Sequence, residues 1–304
     1  MGKPVIVDIL GIYLNSMFPD DFNEASRAHL SVLIRLISRY GTIIQKIGKI
    51  QKPETPTEVF RNLIIPYAVT IYGKMLTSFR ILNGYSIEDI IPLAKGISND
   101  QFSTFDLTRS VYECFLQSSW LTSRYITDRE RQYVTSWSTI RAYSERATLA
   151  NVRGLKNGQL EDEADLIIGL KQEIFENYNE ILLDDIRNFG KDKYTGVAVW
   201  PKATKIHSKV GVSKYHHDYF YKIHSIYSHC EPFAMMQVSY AMDNEQDVNE
   251  TIALAAPYLI HFSAANLNYL GILFPECENE ISNSVDGFKE VIDGSINYLA
   301  KESR

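Results

Sequence analysis

Apolar residues along this chain recur at intervals of three and four, and the period-two alternation of a half-buried strand is almost absent, so the sequence predicts an all-α protein. From Phe22 to Ile50, Leu30, Leu33, Ile34, Ile37, Ile44 and Ile47 keep helical spacing while Arg27, Arg35, Arg39 and Lys46 fall elsewhere, which predicts one long amphipathic helix. Thr55-Pro56-Thr57-Glu58 supplies a capping hydroxyl, a first-turn proline and a carboxylate that can return to the cap. A second long helix is expected from there to about Asn83-Gly84, with Pro66 as a kink point. Ser86 with Asp89 starts a short helix ended by Pro92 or Gly96, and Thr104 or Asp106 caps a strongly apolar helix running to Tyr125. Thr127 and Glu130 form another capping box, for a helix ending near Gly154.

Asn157-Gly158 marks a turn, after which Glu161-Asp162-Glu163 sits where the helix dipole favours negative charge, so capping and solvation account for these acids better than a metal site. Leu166, Leu170, Ile174, Tyr178 and Ile181 continue as an apolar stripe. Gly190 to Gly211 breaks the pattern: Gly190, Gly196, Pro201 and Gly211 surround Val197-Ala198-Val199-Trp200, which predicts a long irregular connection holding at most one short strand. Loops of that length in compact chains are usually functional or disordered. Helices resume from Ser213 to about Met242, at Asp247 with Glu250 as a cap pair, and from Asn283 to Lys301. The expected architecture is a multi-helix bundle of about eight to ten helices with one long irregular loop, residues 1–55 forming an N-terminal helical segment and 56–304 the main bundle, the two being one continuous domain at the limit.

Charge and composition narrow the function classes. The 304 residues carry 31 Lys and Arg against 37 Asp and Glu, a net charge of −6 that argues against a general nucleic-acid surface. Three widely spaced cysteines, Cys114, Cys230 and Cys277, give neither a disulfide framework nor a zinc ribbon and point to a reduced, cytoplasmic setting. The apolar start, Val5 to Leu14, is interrupted by Asp8 and lacks a cleavage pattern, so it reads as a segment docked on the core. Thr251 to Phe274 has the length of a membrane span and no formal charge, but Pro257, His261, Asn266 and Asn268 interrupt it, which favours a helix buried inside a bundle. No phosphate-binding glycine loop is present and no cofactor is implied.

Two stretches carry candidate chemistry. Between Ser110 and Ser123 the only charged residue is Glu113, four positions after Arg109 and on a face with Leu116 and Trp120. Such a pair is expected to belong to a buried network, acting either as an interior ion pair that fixes helix register or as a ligand-facing pair. Five of the seven histidines, His207, His216, His217, His224 and His229, fall in a window of 23 residues. On a helix, His217, Tyr221, His224, Ser225 and Ser228 share a face, with Tyr215, Tyr219, Ile223 and Ile226 on another. His224 and His229 are five apart, so a helical zinc motif with i,i+4 ligands is not formed, and hydrogen-bonded histidines are the expected state rather than a metal site. A serine nucleophile at Ser225 or Ser228 lacks the strand-to-helix elbow that exposes a hydrolase serine.

These two stretches resemble an all-helical bacterial and archaeal family of unknown function, with an R-x-x-x-E helix followed about a hundred residues later by a helix of the form Y-[KR]-x-x-S-x-x-x-H and a proline. Here they read Arg109-Ser-Val-Tyr-Glu113 and Tyr221-Lys222-Ile-His-Ser225-Ile-Tyr-Ser-His229, with Pro232 beyond, the likeness covering about Pro56 to Tyr240. The resemblance implies that Arg109, Glu113, Tyr221, Ser225 and His229 converge. It supplies a place and no reaction. In outline such families are also similar to the HEPN superfamily, whose ribonucleases use R-x4-6-H at a dimer interface. Here Arg187-Asn188 opens that motif, but Phe189 to Tyr194 contain no histidine. The expectation is therefore a helical bundle with a buried polar pocket for a small polar or anionic ligand or a partner segment, in a chain able to form a homodimer, with a hydrolase or HEPN-like ribonuclease using His229 and Glu113, with or without metal, as the alternative.

Overall fold

The computed structural model describes residues 22–83, 85–86, 97–98, 101–153, 158–228, 245–282 and 287–301. The expectations for the segment Val5 to Leu14, the short helix beyond Ser86, the turn residue Asn157, the stretch from His229 to Met242 and the helix start at Asn283 lie outside these residues. Eleven α-helices run through the described residues: α1 (Phe22–Ile47), α2 (Pro56–Leu82), α3 (Gln101–Arg124), α4 (Asp128–Val152), α5 (Gly158–Asn177), α6 (Asn179–Phe189), α7 (Ala203–Ile206), α8 (Lys214–Ser228), α9 (Glu245–Leu273), α10 (Glu278–Ser282) and α11 (Phe288–Ala300). The protein is an all-α multi-helix bundle. Strand pairing among the described residues amounts to Tyr85–Ser86 antiparallel to Ile97–Ser98 and one isolated bridge.

Several ends follow the sequence closely. At α2, Glu58 N–H donates to Thr55 Oγ1 at 3.2 Å and Thr55 N–H to Glu58 Oε2 at 3.1 Å, and the helix continues through Pro66. At α4 the Thr127 and Glu130 capping box forms in the same reciprocal way. Others differ. Helix α3 begins at Gln101, so Thr104 and Asp106 are inside it and do not cap it. Helix α9 begins at Glu245, and Asp247 likewise falls within its first turn. In α1 the buried stripe is Leu33, Leu36, Ile37, Tyr40, Ile43 and Ile47, with Ile34 turned to solvent and Tyr40 in the middle of the stripe.

The described residues group into two compact units, the first from within Met1–Gly48, Ile65–Thr122 and Ile206–Arg304, the second from Lys49–Ile64 and Ser123–Lys205. In the second unit, α4 packs on α5 and α5 on α6. The acidic start of α5 is not all solvated: Glu163 is buried and pairs with Arg146 at 2.8 Å, since its position faces α4. The stripe expected from Leu166 to Ile181 is broken at Tyr178, which separates α5 from α6, and Leu166 is exposed while Ile174 and Tyr178 are buried. The long connection is irregular only to about Lys202, after which α7 and a 3-10 turn, His207–Val210, order the rest. Its first part is a small hairpin closed by Asp192 N–H to Val197 O at 2.8 Å and Gly196 N–H to Asp192 O at 2.9 Å, with Gly196 at φ 77°, where a side chain would be strained. The strand expected there is the bridge between Lys191 and Ala198.

In the first unit α9 is the centre, packed on α1 and α11, and its residues from Ala255 to Leu267 are buried almost without interruption. Among the described residues no helix is long and apolar enough to cross a membrane. The polar groups that interrupt α9 have partners inside the bundle. Ser295 Oγ donates to Val291 O at 2.7 Å, which leaves His261 Nδ1–H to donate to Ser295 Oγ at 3.2 Å. Tyr40 O–H donates to Asn266 Oδ1 at 2.5 Å, while Asn266 Nδ2 donates to Ser118 Oγ at 2.7 Å and Ser119 Oγ at 3.4 Å. One amide thus ties α9 to α1 and α3. Asn266→Leu fills a similar volume but strands the Tyr40 hydroxyl, whereas Ser118 keeps its bond to Cys114 O at 2.8 Å, so denaturant unfolding should show a loss of about 2 kcal/mol, with a smaller loss for Tyr40→Phe.

Candidate functional site

The two motif-bearing stretches meet in the first unit. Arg109 and Glu113 project from one face of α3, and Arg109 Nε donates to Glu113 Oε1 at 3.2 Å. The same guanidinium reaches α8, where Nη2 donates to the Tyr221 hydroxyl at 3.0 Å and Cζ lies 4.8 Å from the centre of the Tyr221 ring. Ser225, half-buried, stands one turn beyond Tyr221 on α8 and makes no bond to this pair among the described residues. His229 lies outside the described residues. Of the five residues picked from the sequence, three are joined and a fourth is adjacent along the helix.

The pair is not buried as expected. The Glu113 side chain is 46% exposed and that of Arg109 24%. The stripe they share on α3 is closed further along by Leu116 and Trp120, both buried, but opens to solvent at Arg109 and Glu113. An i,i+4 pair at such exposure contributes at most a few tenths of a kcal/mol, too little to fix helix register. Among the described residues Arg109 spends two of its five N–H donors, leaving a charged fork at the surface.

Helix α8 is set against α3 by its buried face. Ser213 caps it, accepting from His216 N–H at 3.3 Å, while its own hydroxyl donates to Lys301 O at 2.8 Å and its N–H to Leu299 O at 2.8 Å. Phe220 packs its ring 4.7 Å from that of Tyr112 and 4.8 Å from that of Phe262, joining α8 to α3 and α9. The histidine face is turned inward, with His216, His217 and His224 buried and Tyr215 and Tyr219 exposed.

His217 and His224 are each held through Nδ1. His217 Nδ1 lies 2.6 Å from the hydroxyl of Tyr112. Burial pushes that phenol well above its usual value and lowers His217 to about 4, with His207 adding to the depression, so the phenol donates and His217 is neutral with its proton on Nε2. His207 stacks on it, ring centres 4.2 Å apart and planes within 3°, and donates from Nδ1 to Val212 O at 2.9 Å. His224 Nδ1 donates to Phe220 O at 2.8 Å, which leaves its Nε2 as a buried acceptor with no partner among the described residues. Burial lowers His224 to about 3, and the Arg109 charge pushes in the same direction. Histidines this depressed accept hydrogen bonds at neutral pH but are too weak to act as bases, since general-base catalysis needs a value near the working pH.

Sequence reasoning missed Tyr112 and the role of His224. Tyr112 stands among so many apolar and aromatic neighbours that nothing marks its hydroxyl as engaged, whereas the i,i+3 and i,i+7 spacing of Tyr221 and His217 to His224 did place that histidine on the right face. Among the described residues no group of three or more His, Cys, Asp and Glu is placed to hold a metal ion. Cys114, half-buried next to Glu113, has its thiol pushed up to about 11, chiefly by burial, and is not a ready nucleophile. Arg187 is 78% exposed and 3.7 Å from Asp184.

Four buried histidines of this unit make its stability acid-sensitive. Burial lowers His29 and His217 to about 4 and His224 and His261 to about 3, from 6.5 in the unfolded chain. Because the folded values are depressed, the unfolded chain binds protons first, so this stability is complete above 6.5 and is lost as pH falls toward 4. Each histidine steepens the loss by about 1.4 kcal/mol per pH unit, and the urea midpoint should be flat above pH 7 and drop sharply between 6.5 and 5, before most carboxylates titrate. A midpoint unchanged from pH 7 to 5 contradicts this. Comparison of the chain with protein-family models, with curated proteins and with solved structures finds no significant match, so the functional reading rests on this geometry.

Proposed function

We propose that the protein is a binding protein whose α3 and α8 present Arg109 to the anionic group of a small polar ligand. The observation that carries this reading is a guanidinium about a quarter exposed, held in place by a half-exposed Glu113 and the Tyr221 hydroxyl, with donors to spare among the described residues. Glu113 and Tyr221 orient the fork, the Ser225 hydroxyl stands one turn away, and the His224 acceptor lies close enough to Arg109 to feel its charge. An anion approaching Arg109 competes with an exposed carboxylate whose hold is weak. His217 and His224 are too depressed to serve as the base of an acid–base hydrolysis, whose candidate His229 lies outside the described residues.

Calorimetric titration of the full chain with inorganic phosphate and with succinate tests it. One or both should bind, Arg109→Ala should weaken binding about tenfold or more, and Arg109→Lys should recover only part, since an ammonium lacks the planar fork. Tyr221→Phe should weaken it by about threefold through looser positioning. Equal affinity in the wild-type chain and a folded Arg109→Ala variant, or no heat from either anion, overturns the proposal.

A further inference from the structure

The second unit contains a cleft that the site above does not use. It measures about 680 Å3 and lies between α4, α5 and the hairpin that follows Gly190, within the range of about 300–1,000 Å3 typical of small-molecule sites. Its α4 wall is one helical face carried over three turns, from Trp137 through Arg141 and Ser144 to Thr148. The hairpin wall is built in advance of any ligand. Trp137 Nε1 donates to Ala198 O at 2.9 Å, and Asp192 accepts from the N–H groups of Tyr194 and Thr195 at 3.0 and 2.7 Å.

Charge within the cleft is unevenly committed. The Asp192 carboxylate is held by its own turn through Oδ1 alone, to which the Thr195 hydroxyl adds a third bond at 2.9 Å, and the Lys171 charge helps keep it ionised. Lys171, on α5, makes no hydrogen bond to a described residue. Arg141 is positioned rather than neutralised: its Cζ sits 5.1 Å from the Trp200 ring centre, and Nε donates to Glu145 at 2.7 Å in an exposed i,i+4 pair that a ligand can share. Trp200 is itself braced by Trp137, ring centres 4.8 Å apart. Two cationic groups thus face a floor made by Ile140, Val197 and Ala198, all buried. The lining sets Arg141 and Lys171 against the carboxylates of Glu145 and Asp192, so its formal charges balance, and what distinguishes the cleft in a chain of net charge −6 is that both cations keep N–H donors unspent among the described residues.

We propose that this cleft binds a small organic anion with a flat apolar body, of the aromatic carboxylate class, its ring over the apolar floor and its anionic group between Arg141 and Lys171. Calorimetry of the full chain with 2-naphthoate, and with uncharged 2-naphthamide as the shape-matched control, tests this. The carboxylate is expected to bind with a dissociation constant near or below about 0.1 mM and the amide at least tenfold more weakly. Lys171→Gln and Arg141→Gln, both solvent-accessible changes that leave the core intact, should each weaken 2-naphthoate by about threefold to tenfold, and Ser144→Trp should fill the cleft and abolish binding. The same titrations in an Arg109→Ala background, where the site on α3 and α8 cannot contribute, should keep the preference for 2-naphthoate over 2-naphthamide, so that failure here is separate from failure at Arg109. Equal affinity for the two compounds, no binding of 2-naphthoate at about fifty times that concentration, or wild-type affinity in Lys171→Gln, Arg141→Gln and Ser144→Trp overturns the proposal.

Discussion

The amide of Asn266 sits where the first unit is most apolar, and the arrangement of that unit depends on it. A helix as featureless as α9 offers any neighbour the same greasy surface at many rotations, and hydrophobic burial alone discriminates poorly among them. Tyr40, Ser118 and Ser119 discriminate, because only one register of α1 and α3 lets the amide give and take its hydrogen bonds away from water. Every other choice leaves buried polar groups unpaired. The position of α3, and with it the direction in which Arg109 points, follows from that constraint.

Arg109 illustrates how little an ion pair has to contribute to matter. In the interior, the guanidinium and Glu113 would have to hold each other tightly to offset lost hydration, and neither would be open to a third party. At the rim Glu113 keeps much of its hydration and the two bind each other weakly, while the tyrosine of a second helix holds the fork still. Positioning without saturation is what a recognition site needs, and it arises here from the place where an otherwise buried helix face runs out of cover.

The parts of this fold that were legible in the sequence are those governed by neighbours in the chain. Thr127 and Glu130 announce their helix because the cap is made within four residues, and the stretch from Thr251 to Phe274 announces a buried helix because its polar interruptions are incompatible with lipid. Tyr221 and Arg109 were identifiable as chemistry-bearing residues, but their exposure was not, since it depends on what covers the helix two turns away. Glu163 shows the same limit from the other side: its place at a helix start suggested solvent, and Arg146 from α4 claimed it. The break at Tyr178 interrupts a stripe that periodicity ran straight through. The cleft beside Trp200 left only an indirect trace, an irregular run rich in glycine around four apolar residues, because its walls come from three separate segments.

Ser213 joins the start of α8 to the carbonyls of Leu299 and Lys301 at the end of α11. The helix that carries Tyr221 is consequently moored at its root to the far end of another helix, whose own seat is on α9. The aim of the Tyr221 hydroxyl is inherited through that chain of moorings, and a residue such as Ser295, which touches no part of the site, helps decide whether the guanidinium has anything to lean on.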